Sequence, residues 1–242
     1  SAFSYCISLV RRKIFLEKSL GMSGFIEQFF NIQIMVAAWP TLFRGLAVTL
    51  MLCLAVIPMG LFGGLVAALA SNSKYKIIRW PTIAFVDFFR SIPPLVLLIF
   101  VYSGLPFAGI RLSPFLAVVI AFFLNNSAYY GEILRAGLNS VGYGQTEAAR
   151  STGLNLLQAH LYVILPQAVR NVLPDLLSNT IEVIKLTSLA SVVSLAEILY
   201  SADMARSITY NASPIVLAAF IYLMILWPLV RLVSQFGKNL DV

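Results

Sequence analysis

Thirty consecutive residues, Thr41 to Ala70, carry one charged side chain, Arg44, and are otherwise apolar, small or hydroxyl-bearing. About 20 predominantly apolar residues in a helix cross a hydrocarbon core of about 30 Å, so this run is long enough to span a membrane. Four more segments qualify: Ile83 to Ser103, Pro114 to Ala136, Leu173 to Leu199 and Pro214 to Phe236. Composition agrees, because 60% hydrophobic and 11% charged residues with a mean hydropathy of +0.88 lie far from soluble averages of roughly 45–50% and about 25%. The expected fold class is an all-α integral membrane protein with five transmembrane helices.

Within these spans, Gly60, Gly63 and Gly64 give the first a face on which another helix can approach closely. Pro93-Pro94 should kink the second, and Pro114 suits the first turn of the third. The net charge of +7 does not point to nucleic acid, since most Lys and Arg flank the apolar runs. Lys74, Lys76, Arg79, Arg135, Arg150, Arg170, Arg231 and Lys238 fall on one side, and only Arg111 and Arg206 on the other. That split of eight to two places the first set in the cytoplasm, the N terminus outside and the C terminus inside. Arg11, Arg12, Lys13 and Lys18 run against it. Residues 1–36 read as an N-terminal arm, either trimmed or an interfacial helix with Phe25, Phe29, Phe30 and Ile34 toward lipid, and residues 37–242 as the transmembrane domain. Cys6 and Cys53 have no metal-ligand spacing around them.

One connection is oversized. Spans three and four are joined by Ser140 to Asn171, a cytoplasmic loop much longer than a turn between helices needs. In it, Thr146 is placed to cap a short helix from Glu147 to Thr152, and Gly153 to supply a left-handed stop. Ala148 and Ala149 are expected to face outward, a surface of small residues suited to another protein's groove. A second helical run, Leu154 to Leu165, is expected to end before Pro166.

Glu147-Ala148-Ala149, Gly153 four residues later, and Val163-Ile164-Leu165-Pro166 resemble the EAA motif of the membrane subunits of bacterial ATP-binding cassette importers. Val163 stands where isoleucine is usual. Phe88-Phe89-Arg90-Ser91-Ile92-Pro93, Ala128-Tyr129-Tyr130-Gly131-Glu132-Ile133-Leu134-Arg135, Gly144-Gln145 and Leu165-Pro166-Gln167-Ala168 narrow the resemblance to the polar amino acid permease family, over about Ala37 to Phe236. Where that family commonly has Lys-Asp-Thr-Ser-Leu, this chain has Lys185-Leu186-Thr187-Ser188-Leu189.

The resemblance implies a permease subunit of the bacterial cytoplasmic membrane that pairs with itself or a sister permease and takes an amino acid from an extracytoplasmic binding protein. It also implies that a cytoplasmic ATPase dimer docks at Gly144, Gln145, Glu147, Ala148, Ala149 and Gly153. The sequence has no Gly-rich phosphate loop ending in Lys and Ser or Thr, so ATP and Mg belong to the partner and this chain is not an enzyme.

His160 is the single histidine and sits in the loop, which excludes a Ser-His or His-rich metal site at membrane depth. A stand-alone secondary transporter or channel is the alternative, but it has no use for the motif loop. The intramembrane charges come in pairs at i, i+3: Asp87 with Arg90, Glu132 with Arg135, Glu182 with Lys185. Lys185 lies roughly 18 Å from the start of its span, counted at 1.5 Å per residue. Asn125 and Asn126 reach similar depth. Asn125, Asn126, Glu182 and Lys185, with Thr187 and Ser188 beside them, form a candidate substrate pathway for a zwitterion, and a purely structural role stays open.

Overall fold

Asn31 opens the longest helix, its carboxamide oxygen accepting from the Ile34 N–H at 3.2 Å. The structure, a computed structural model, describes residues 21–240, with side chains to Gln235. Much of the expected N-terminal arm, including its four basic residues, therefore lies outside the described residues. Residues 21–29 are helical (α1), and α2 runs Ile32–Ser71, so the first span starts nine residues earlier than Thr41. The backbone of the polar stretch that interrupts the sequence here is bonded to the turn before the last span, while the side chains of Glu27, Gln28 and Gln33 stay exposed. The Gln28 carbonyl accepts from the Ala212 N–H at 2.9 Å, the Glu27 carbonyl from Asn211 Nδ2 at 2.9 Å, and the Asn31 N–H donates to Ser213 Oγ at 2.9 Å.

The second span is broken where a kink was expected. α3 (Lys76–Ser91) and the stretch that begins with α4 (Pro94–Ile99) meet at 101°. Ile92 precedes a proline and is extended (φ −84°, ψ 129°), which ends α3. Neither proline can donate, so the carbonyls of Phe89 and Arg90, four residues earlier, lose their helical partners. The next helix, α5, supplies replacements. Asn125 Nδ2 donates to the Phe89 carbonyl at 3.0 Å, and the Tyr129 hydroxyl to that of Arg90 at 3.3 Å.

α5 (Pro114–Ser140) begins at Pro114 as expected, capped by Ser113, and fills the centre of the main core with Val118, Phe122 and Tyr130 against Leu52 and Val56 of α2. The two helices touch through glycine. A Cβ on Gly64 would fall 2.5 Å from Tyr130 Cβ and 2.8 Å from the Gly131 nitrogen.

Between α5 and the next span lie three short helices: α6 (Tyr143–Ser151), α7 (Leu156–Ala159) and α8 (Leu165–Asn171). The fourth span, α9 (Leu173–Leu186), continues as a 3-10 helix over Thr187–Val193 and stops there, six residues short of Leu199. Ser194 is left-handed (φ 59°), and Glu197 caps a separate helix, α10 (Ile198–Thr209). The last span, α11, runs Ser213–Leu240. Among the described residues, four helical stretches are thus long and apolar enough to cross a membrane, and the bent pair of α3 and its continuation makes five if it counts as one span.

Glu197 is fully buried where α2, α10 and α11 meet. Its carboxylate accepts from the Leu199 and Tyr200 N–H groups at 2.8 and 2.7 Å and from the Tyr222 hydroxyl at 3.1 Å. Burial pushes the carboxyl above its ordinary range, and these three donors oppose the shift. A second, smaller core packs beside it, made by Ala38 and Leu42 of α2, Ile198 and Ala202 of α10, and Ala218 and Ile221 of α11.

Candidate coupling helix and translocation path

The loop after α5 turns at Val141 and Gly142, both extended, and the Gly142 carbonyl accepts from the Gln145 N–H at 3.0 Å to close the first turn of α6. α6 therefore starts at Tyr143, four residues before the expected Glu147, and Thr146 lies inside it without capping it. At the other end Gly153 is left-handed (φ 90°), as the sequence indicates, and its N–H donates to the Arg150 carbonyl at 3.0 Å.

Gly144, Gln145, Glu147, Ala148 and Gly153 are exposed. Ala149 is buried, a correction to the expectation that both alanines face outward, because it shares the inner face of α6 with Thr146 three residues earlier. A Cβ on Gly142, Gly144 or Gly153 would meet nothing within 4 Å, so this surface is open. Gln145 accepts from Gln167 Nε2 at 3.4 Å, which links α6 to α8, and α8 is fixed in turn to α5 through Asn171 Nδ2 and Ser140 Oγ at 2.8 Å. A cavity of about 660 Å³ lies behind the helix, lined by Asn139, Tyr143, Thr146, Arg150 and His160 among others.

The helical run after Gly153 does not end before Pro166. It starts with a capping box between Asn155 and Gln158, widens into a π-helical turn at His160–Ile164, and continues through Pro166 to Asn171. The wide turn removes the need for an N–H at Pro166 and keeps its ring clear of the preceding carbonyls. His160 Nδ1 lies 2.9 Å from the Leu156 carbonyl, a local bond within this run.

The mid-span polar residues fall in two places. Asn125 and Asn126 are each 1% exposed. Asn125 faces the end of α3, and Asn126 bonds the Phe122 carbonyl at 2.9 Å and packs at Gly60 of α2. Glu182 and Lys185 pair at 2.6 Å with side chains 60% and 48% exposed. Ser188 bonds the Lys185 carbonyl at 2.8 Å, while Thr187 is buried and bonds that of Ile184 at 2.7 Å. Lys185 and Ser188 share a cavity of about 300 Å³ with Leu199, Ile215, Tyr222 and Leu226. Glu182, Lys185 and Ser188 thus come together, and the two amides lie against α3 and α2 instead.

The expected pair of Asp87 with Arg90 gives way to a cross-helix cluster. Glu132 takes both Nε (3.0 Å) and Nη2 (2.5 Å) of Arg135, and Arg90 approaches it at 3.8 Å. Arg90 ends α3 beside α5, so Glu132 lies within its reach, and its guanidinium also sits 5.6 Å from the Tyr129 ring centroid. Sequence reading missed Glu197 and Tyr222. Ser194-Leu195-Ala196-Glu197 before an apolar run reads as a capping box and so signals a helix start inside the apparent fourth span, although it is Glu197 and not Ser194 that caps α10.

Residues 60–241 match the family described as the inner membrane component of binding-protein-dependent transport systems. The chain belongs to that family. It is 35% identical over 217 residues to the probable amino-acid ABC transporter permease protein YckA of Bacillus subtilis (strain 168), covering 89% of this chain and 94% of that one. It is 37% identical over 205 residues to the L-cystine transport system permease protein TcyB of the same organism, covering 84% and 88%. A crystal structure of an amino acid ABC transporter with histidines superposes with a TM-score of 0.77 at 36% identity, covering 85% of this chain and 96% of that chain. The chain is accordingly a multi-pass component of the inner membrane, and its all-helical architecture is that family's permease fold.

Proposed function

We propose that this permease moves polar amino acids from an extracytoplasmic binding protein to the cytoplasm, driven by ATP and Mg on two partner ATPase subunits that hold α6. The observation that carries the reading is α6 itself. It is a helix that exposes Gly144, Gln145, Glu147 and Ala148, is closed by a left-handed Gly153 and packs on the π-helical turn His160–Ile164. A short helix that exposes small residues at Gly144 and Ala148 and ends at an open Gly153 suits a groove in another protein. The named relatives supply the cargo class, since they are permeases for amino acids.

Glu182 and Lys185 mark the path. Charged side chains exposed on a span are costly against lipid, so a second permease subunit or a water-filled passage covers them. Lys185 offers three donors to a cargo carboxylate, and Glu182 an acceptor to its ammonium. Thr187 and Ser188 shape the adjoining turn, and Asn125 and Asn126 set the spacing of α5 against α3 and α2.

The test is the double variant Glu182→Gln with Lys185→Met in the importer reconstituted with its ATPase and binding protein. Expression and basal ATP hydrolysis are expected to match the parent, with amino acid uptake falling at least tenfold. Uptake at the parent level with unchanged cargo preference would remove both residues from the path. The orientation follows the basic residues: N terminus outside, C terminus inside. With Cys6 and Cys53 replaced, an impermeant thiol reagent added to intact cells is expected to label Tyr210→Cys, at an exposed turn, and to spare Gly142→Cys. The reverse pattern would invert the topology.

A further inference from the structure

The first turns of α3 carry a second chemistry. Asn72 Nδ2 donates to Asn139 Oδ1 at 3.2 Å, which holds the turn between α2 and α3 at the level of the C-terminal end of α5. From there α3 climbs until Val86 packs with Ala67 and Ala128. Lys74, Lys76 and Arg79 therefore lie at one edge of the spanning bundle. Among the described residues, none of the ion pairs uses any of the three, and no Asp or Glu occurs between Asn72 and Val86. Lys74 Nζ stands 5.1 Å from the Tyr75 ring centroid, and α3 has no side-chain cap at its start.

The same turns expose apolar surface. Ile77 is 84% and Trp80 61% exposed, and the exposed line continues at helical spacing through Ala84 and Phe88. A stripe of that length on a span suits acyl chains, with the exposed Asp87 at its far end, and on that placement its first turn meets the headgroup layer, where tryptophan and tyrosine are favoured. Three cations in six residues then sit among phosphates, flanked by the two aromatic rings.

We propose that Lys74, Lys76 and Arg79 with Tyr75 and Trp80 form a binding site for the headgroup of an anionic phospholipid. The ammonium and guanidinium groups donate to phosphate oxygens, the indole N–H lies at the same level, and Ile77 follows the acyl chain. A phospholipid fits better than a soluble anion because the basic residues are continuous with the lipid-facing stripe. It also fits better than a soluble protein partner, because that stripe runs on along α3 toward the middle of the membrane. At the usual strength of single basic residues near an anionic surface, three enrich such a lipid over a zwitterionic one roughly tenfold to hundredfold.

Trp80 reports the site directly. In the full chain with Trp39→Phe and Trp227→Phe, Trp80 is the one remaining tryptophan. This protein is reconstituted in mixed vesicles of phosphatidylglycerol and phosphatidylcholine, with one lipid or the other brominated at equal bromine content. Brominated phosphatidylglycerol is expected to quench Trp80 at least twofold more than brominated phosphatidylcholine. The added changes Lys74→Gln, Lys76→Gln and Arg79→Gln should equalise the two. Equal quenching by both lipids before those changes overturns the proposal, and quenching by neither shows that protein covers Trp80 and overturns it as well.

Discussion

Gly64→Val is expected to leave the chain unable to keep its fold when extracted in mild detergent, with a loss of about 3 kcal/mol or more, at the upper end of overpacking penalties. A Cβ there would come within 2.8 Å of the Gly131 backbone nitrogen, and backbone cannot swing aside as the end of a long side chain can. The spans α2 and α5 would have to separate. That would open the layer of Leu52, Val56, Phe122 and Tyr130 behind the contact. Thermal unfolding of the purified chain checks this, with Gly104→Ala as a control, since a Cβ on Gly104 meets only the Phe100 ring at 3.3 Å or beyond. Parent-like melting of Gly64→Val would mean the two helices are not in contact at this point.

Gly153→Asp is expected to reach the membrane in normal amount and yet fail to transport, with binding-protein-stimulated ATP hydrolysis reduced by a hundredfold or so. The space around Gly153 is open, so the fold tolerates a side chain there apart from the strain of a left-handed non-glycine residue, about 1–2 kcal/mol. On the proposed docking, the new carboxylate meets the partner's groove, where an unpaired buried charge costs several kcal/mol more. Gly153→Asn separates the two effects, because asparagine accepts the left-handed conformation and carries no charge. It should retain a large part of the activity. Full activity in the aspartate variant, with normal copurification of the ATPase, would show that α6 is not the docking element.

These expectations draw on features of unequal legibility. Apolar run length alone located the four helices long enough to cross a membrane and the bent pair that makes a fifth if it counts as one span. Pro114 and Gly153 were readable because each residue type has one conformation it serves best. Pro93-Pro94 announced a disturbance, but not that Asn125 and Tyr129 repair it, because the repair comes from residues more than 30 positions away. The depth of Asn125 and Asn126 followed from counting, whereas the direction they face did not. Their orientation depends on which helix packs where, and Gly60 on α2 decides it for Asn126. Glu197 was hidden for a similar reason. Leu195, Ile198 and Leu199 read as the end of a span, and only the left-handed Ser194 reveals that the chain has already turned away.

One helix of 40 residues belongs to both cores. Its N-terminal half packs through Ala38 and Leu42 with α10 and α11, and its C-terminal half through Leu52 and Val56 with α5. No loop intervenes between the halves, so α2 acts as a beam built into two blocks. The blocks cannot hinge freely on a linker, and whatever rearrangement α10 and α11 undergo relative to α5 is transmitted as flexure of that beam. Pro40 and Pro58, both inside the helix, each remove one rung of its hydrogen-bond ladder and make the beam more compliant at one point within each block.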